Sequence, residues 1–148
     1  MNKITRILLA EDDPNDVELT LEALADYNLV NDVAVVNDGQ EALDYLYRKG
    51  KYKTRFNENP LVILLDLKMP KVDGLEVLKQ IKKDPNLKTI PVVILTSSNM
   101  EKDLIESYNL GANAYVMKPV AFHEFVDAVK TLGKFWVLTN KQPSKSVK

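Results

Sequence analysis

The run LVILL ends in Asp66, RILLA leads into Glu11 and Asp12, VVIL ends in Thr96, and AYVM ends in Lys118. Each polar group directly follows a short apolar segment. Carboxylates brought together repel one another unless a proton or a cation compensates them. All-oxygen ligation suits a hard divalent cation, and Mg²⁺ favours a site with few carboxylates and several waters. The open side of such a cation suits a phosphoryl group, whose charge the cation and the Lys118 ammonium would both offset. Thr96 could then hydrogen-bond one phosphoryl oxygen. Any one of these residues has a plain structural reading: a strand that stops at an acid, or a static Lys118–Asp66 ion pair. The chemistry depends on all five reaching one place.

The elements between them supply that place. RILLA (6–10), DVAVVN (32–37), LVILLD (61–66), PVVILT (91–96) and NAYVMK (113–118) read as strands. Between them lie the helical patterns 14–27, 39–50, 73–84 and 100–111, and a last one runs from Phe122 to about Leu138. Leu75, Leu78 and Ile81 fall on one helical face, with Lys79, Lys82 and Lys83 elsewhere on the cylinder. Asp13-Pro14 and Asp38-Gly39 suit helix starts, Asp84-Pro85 a break, and Gly111 a helix C-cap. The third and fourth strands are apolar on both faces, as a parallel sheet covered by helices requires. The alternation predicts a (βα)5 doubly wound α/β fold, a five-stranded parallel sheet of order 2-1-3-4-5. In such a sheet ligands bind beyond the carboxyl ends of the strands, where the strand order switches. That edge is where Glu11, Asp12, Asp66, Thr96 and Lys118 are all delivered. Asn37 and Asp38, at the end of the second strand, are expected away from the cluster.

The totals narrow the setting. The 148 residues fit one domain, taken as 1–140, followed by a polar tail at 141–148 that is expected to be loose. A net charge of -1 argues against general nucleic-acid affinity. No apolar stretch is long enough to span a membrane. The opening MNKITRILLAEDDP turns acidic too early for an export signal, and cysteine is absent, which removes disulfides and thiolate chemistry. The expected compartment is the cytoplasm.

Four segments in order, ILLAEDDP, LLDLKMPKVDG, VVILTSS and AYVMKP, resemble the receiver domain of two-component response regulators, the CheY-like module, over about residues 4–138. The resemblance implies that Asp66 accepts a phosphoryl group from a phosphohistidine on a partner histidine kinase, with Mg²⁺ as cofactor. Aligning ILLAED on the family's acid pair makes Asp12 a direct Mg²⁺ ligand and Glu11 one that acts through water. Asp66 and the backbone carbonyl of Lys68 complete the set, and Asp13 becomes a helix N-terminal acid suited to the helix dipole. In the family a Thr at the place of Thr96 works with an aromatic on the fifth strand, here Tyr115, to shift the surface of helix 4, strand 5 and helix 5. Lys118-Pro119 would carry a cis peptide that aims the ammonium. A carboxylate nucleophile needs no general base near neutral pH. His123, the only histidine, is expected to face solvent at the start of the last helix, so the phosphoryl donor must come in trans. The chain therefore reads as a phosphoacceptor regulator and not an enzyme, catalysing only its own phosphotransfer and dephosphorylation. Alternatives within this reading are a phosphorelay intermediate and a phosphorylation-independent docking protein.

Two features exceed the minimal family form. YRKGKYKTRFNENP (47–60) is a basic-aromatic insertion, expected to be a solvated loop or a kinase-side contact in preference to a nucleic-acid surface. On the last helix Phe122, Phe125, Val126, Val129, Leu132 and Trp136 form one stripe, while Phe135 and Leu138 fall outside it. Exposed apolar surface there predicts a homodimer on the helix 4–strand 5–helix 5 face with Phe135 and Leu138 in contact. The insertion and GKFWVLTN (133–140) resemble the stand-alone regulators paired with bacterial and cyanobacterial phytochrome kinases. Rival folds fit less well. A haloacid-dehalogenase-type phosphatase wants a second acid at position 68, which is Lys68, and a flavodoxin-like carrier wants a Ser/Thr/Gly phosphate loop where EDDPND stands.

Overall fold

The computed structural model describes residues 6–25, 33–55, 58–97, 101–118, 123–124 and 127. Its strands are β1 (Ile7–Ala10), β2 (Val33–Val36), β3 (Val62–Leu65), β4 (Val92–Thr96) and β5 (Ala114–Met117). The helices are α1 (Pro14–Ala25), α2 (Gly39–Tyr47), α3 (Gly74–Lys83) and α4 (Glu101–Asn109), and a short 3₁₀ turn covers Gly50–Tyr52. All strand pairs are parallel and the order is β2-β1-β3-β4-β5, as expected from the alternation.

Alternation along each strand divides the core into two layers. Leu8, Ala10, Ile63, Leu65, Val92 and Ile94 face α2 and α3, meeting Leu43, Leu46, Val77, Leu78 and Ile81. Ile7, Leu9, Val62, Leu64, Val93 and Leu95 face the other side, where Leu24 is buried and Val17 and Leu21 pack. Burial on both faces anchors the short strands, so the groups at their carboxyl ends are held by a rigid frame.

Helix ends follow local chemistry. The Asp38 and Asp73 side chains accept from the backbone N–H of Glu41 and Glu76, capping α2 and α3. Asp13 does the same for α1, accepting from Asn15 N–H at 2.8 Å and Asp16 N–H at 3.4 Å. Gly111, with φ 107°, closes α4: its N–H donates to the Tyr108 carbonyl while Ala112 N–H reaches back to Ser107. Helix α2 departs from expectation. It stops at Tyr47, three residues before Gly50, because Arg48 itself adopts the left-handed conformation at φ 59°. Lys49 N–H then bonds the Asp44 carbonyl and Arg48 N–H the Tyr45 carbonyl, so a non-glycine residue makes the cap.

The basic insertion is not a free loop. Tyr52 folds back along α2, its hydroxyl donating to Glu41 and its ring meeting Tyr45 edge-on at 5.0 Å. Arg55 lies over the Tyr45 ring at 4.1 Å and donates to the carbonyls of Tyr45 and Glu58, both at 2.9 Å. Lys51 pairs with Glu41 at 3.1 Å. Tyr52 and Arg55 are thus engaged in packing, Lys49, Lys51 and Lys53 are left exposed, and Phe56 lies outside the described residues. Pro119, with its peptide bond to Lys118, the apolar stripe of the last helix, Phe135, Leu138 and the tail at 141–148 lie outside the described residues.

Candidate functional site

Strand register brings the polar groups together. Ala10 pairs with Leu65 and Leu65 with Ile94, so Glu11 and Asp66 emerge side by side one residue beyond the ladder. Thr96 pairs with Met117, which places Lys118 one step past them. Side chains alternate between faces along a strand. Carried one residue on, that alternation turns Glu11, Asp66 and Lys118 towards the α1 side, while Thr96 shares the opposite face with Ile94 and Tyr115.

Distances agree with this layout. Lys118 Nζ lies 2.8 Å from Glu11 Oε1, 2.7 Å from Asp16 Oδ2 and 3.4 Å from Asp66 Oδ2. Glu11 is 1% exposed and Asp66 4%, whereas Asp12 is open to solvent. Backbone bonds fix the frame: Asp66 N–H donates to the Ala10 carbonyl at 3.0 Å, and Lys118 N–H to the Thr96 carbonyl at 2.9 Å. Glu11 Oε2 accepts from Asp13 N–H at 3.1 Å, and Asn37 Nδ2 donates to the Glu11 carbonyl at 3.4 Å. Thr96 is fully buried, and Tyr115 is half-buried against the α2–α3 layer. His123 is exposed.

Burial pushes the Glu11 carboxyl up to about 7, and the Asp66 charge adds to that rise, against the lowering pull of Lys118 and the Asp13 N–H. Burial alone would lower Lys118, but hydrogen bonds to Asp16 and Glu11, with the charges of Asp66 and Glu11, hold its ammonium above the ordinary lysine range. Lys118 is thus a firmly charged cation amid more acids than it can neutralise. The imbalance is what a divalent cation would correct.

Carboxylate oxygens of Glu11, Asp12 and Asp66 lie within 4.8 Å of one another, a donor set that fits a hard divalent cation. Asp12 and Lys68 also line an open cleft of about 470 Å³ with Met69, Asp73 and Asp103. The chain on its far side is held by a close approach that only glycine allows. A Cβ on Gly74 would lie 2.2 Å from the Asp66 carbonyl oxygen, and Gly74 N–H donates to the Leu67 carbonyl at 2.8 Å. Lys71, at φ 70°, makes the tight turn of that loop, with Val72 N–H bonded to the Pro70 carbonyl at 2.8 Å.

All five residues singled out at the strand ends arrive at the expected edge. Sequence reasoning missed Asp16 and Asp103. Asp16 had a readable signal: it lies in the first turn of a helix that starts at the site edge, on the side towards which Lys118 points. Asp103 had none, since its place depends on how α4 leans over the cleft.

The response regulator receiver domain family matches residues 7–130. Response regulator Rcp1 of Synechocystis sp. is 39% identical over 138 residues, covering 93% of this chain and 92% of Rcp1. A solved structure of the Mn²⁺-bound form of Rcp1 superposes with a TM-score of 0.73 at 37% identity, covering 92% and 95% of the two chains. The bacteriophytochrome response regulator RtBRR gives 57% identity and a TM-score of 0.82, covering 90% of this chain and 81% of that one. The phosphorylated cyanobacterial phytochrome response regulator RcpA gives 42% and 0.75, covering 91% and 95%.

Proposed function

The chain belongs to the response regulator receiver domain family, and from that premise we propose that it is a phosphorylation switch whose acceptor is Asp66. The observation that carries the reading is the placement of the Asp66 carboxylate, rigidly held at the end of β3, beside Glu11, Asp12 and Lys118. An Asp66 oxygen attacks the phosphorus of a phosphohistidine, a P–O bond forms, and the P–N bond breaks with its electron pair returning to the imidazole. Asp12 and Asp66, with the Lys68 carbonyl and Glu11 through water, would hold Mg²⁺, which offsets charge on the phosphoryl oxygens. Lys118 supplies a second positive charge from the α1 side, and the Thr96 hydroxyl binds a phosphoryl oxygen from the other face. Thr96 and Tyr115 share that face, which supports their coupling in a shift of the α4–β5 surface and the helix that follows. The Lys118–Pro119 peptide is cis in this reading, aiming the ammonium. The chain's own catalysis is confined to gaining and losing this phosphoryl group.

Similarity to the phytochrome response regulators supports a phytochrome-class histidine kinase as the donor, and hence a cytoplasmic site of action. Among the described residues no helix is long and apolar enough to cross a membrane. Output runs through protein contact, with no direct nucleic-acid binding. A homodimer on the α4–β5–last-helix face is supported by exposed Leu104, Ile105 and Tyr108 on α4, with Phe135 and Leu138 completing the contact. The single domain would extend over 1–140, with 141–148 as its tail.

Intact-mass measurement after incubation with acetyl phosphate and Mg²⁺ tests the central claim. The wild-type chain is expected to gain one phosphoryl group and Asp66→Asn none. No gain in the folded wild type, or an equal gain in the variant, would overturn it.

A further inference from the structure

Lys118 is held by one acid that does not belong to the strand edge. An ammonium has three N–H donors, and here three carboxylates share them. The nearest is Asp16 at 2.7 Å, followed by Glu11 at 2.8 Å, and the farthest is Asp66 at 3.4 Å. Glu11 and Asp66 leave the ends of β1 and β3. Asp16 projects from the first turn of α1, where Asp13 caps the helix and fixes its start. The Lys118 side chain is 9% exposed and that of Asp16 26%, so Asp16 reaches a largely buried ammonium from the rim of the site.

We infer that Asp16 is a positioning residue that draws Lys118 towards α1 and away from Asp66. The inference rests on the phosphoacceptor reading and assigns a further residue to it. With only Glu11 and Asp66 as partners, the ammonium would settle between the two strand ends and occupy the Asp66 oxygen that now stands 3.4 Å away. A cation bound to Asp66 would then compete with Lys118 for the same carboxylate. Asp16 relieves that competition by giving the ammonium its shortest contact elsewhere. The α1 side chain thereby prepares the strand-end carboxylates for a divalent cation, although it lies outside the ligand set.

A double-substitution cycle read by calorimetric titration with Mg²⁺ separates this role from simple loss of a nearby negative charge. The full chain is compared with Asp16→Asn, Lys118→Met and the double variant, each checked for folding by its thermal transition. Asp16→Asn is expected to weaken Mg²⁺ binding about 3- to 10-fold while Lys118 is present, and less than about 2-fold in the Lys118→Met background. Asp16→Glu, which keeps the charge on a longer arm, is expected to retain most of the affinity. Equal weakening in both backgrounds, or no weakening in the first, would overturn the role of Asp16 while leaving Mg²⁺ binding and phosphoryl uptake intact. Absence of Mg²⁺ binding in every variant, the wild type included, would sink the metal site and this inference together.

Discussion

Glu11 offers the sharpest test of the electrostatics. Its carboxyl is 1% exposed and its pKa is raised from 4.5 to about 7, so the folded chain binds this proton more tightly than the unfolded one. A group raised in this way contributes stability in full below about pH 4.5, and that stability is lost as pH rises through about 7. The span corresponds to about 3 kcal/mol. Because Lys118 shares in the ionisation, about 1–3 kcal/mol is the expected loss. Glu11→Gln keeps the shape and removes the titration. In EDTA at pH 5 the two proteins should unfold at similar urea concentrations, whereas at pH 8 the variant should be the more stable by that amount. For a chain of this size the difference is roughly 2–12 °C in Tm. Millimolar Mg²⁺ at pH 8 should narrow the gap or reverse it, because cation binding stabilises the wild type preferentially. Parallel pH profiles for the two proteins in EDTA, with no gap opening between pH 5 and pH 8, would refute the reasoning.

Two further outcomes follow from the surface of the fold. Tyr52→Phe removes the hydroxyl that donates to Glu41 and should cost about 1–2 kcal/mol, read as a lowered urea midpoint, because a hydrogen bond to a charged acceptor is among the stronger kind. An unchanged midpoint would mean that the insertion is not anchored through this contact. Sedimentation should show self-association that Ile105→Lys weakens, and a monomer at high concentration with and without phosphorylation would exclude the proposed dimer.

The architecture was legible because its signals are local and repeated. Apolar runs fully buried in β3 and β4, acids at helix starts and Gly111 at a helix end each read correctly on their own and agreed with one another. The end of α2, read as far as residue 50, comes earlier because nothing in the sequence signals that Arg48 will turn left-handed. The internal packing of the insertion went unread for a related reason. Basic and aromatic residues look the same in a string whether they face a partner or pack on one another, and only the return of the chain along α2 places Arg55 on Tyr45 and Tyr52 on Glu41.

The site shows the same division between order along a strand and distance across elements. Topology predicts that strand-end residues meet, because every parallel strand points its carboxyl end to one edge; Glu11, Asp12, Asp66, Thr96 and Lys118 needed nothing more. It does not predict which partner an ammonium prefers once it arrives. A strand-end reading pairs Lys118 with Asp66, the proposed acceptor, yet the shortest contact is to Asp16 on a helix that the strand argument never consulted. The difference matters for mechanism. A lysine locked onto Asp66 would shield this proposed acceptor from a phosphoryl donor and from a cation alike. One held chiefly by Glu11 and Asp16 has its longest contact to Asp66, which in the proposed switch would leave the acceptor available with the positive charge still close enough to meet the incoming group.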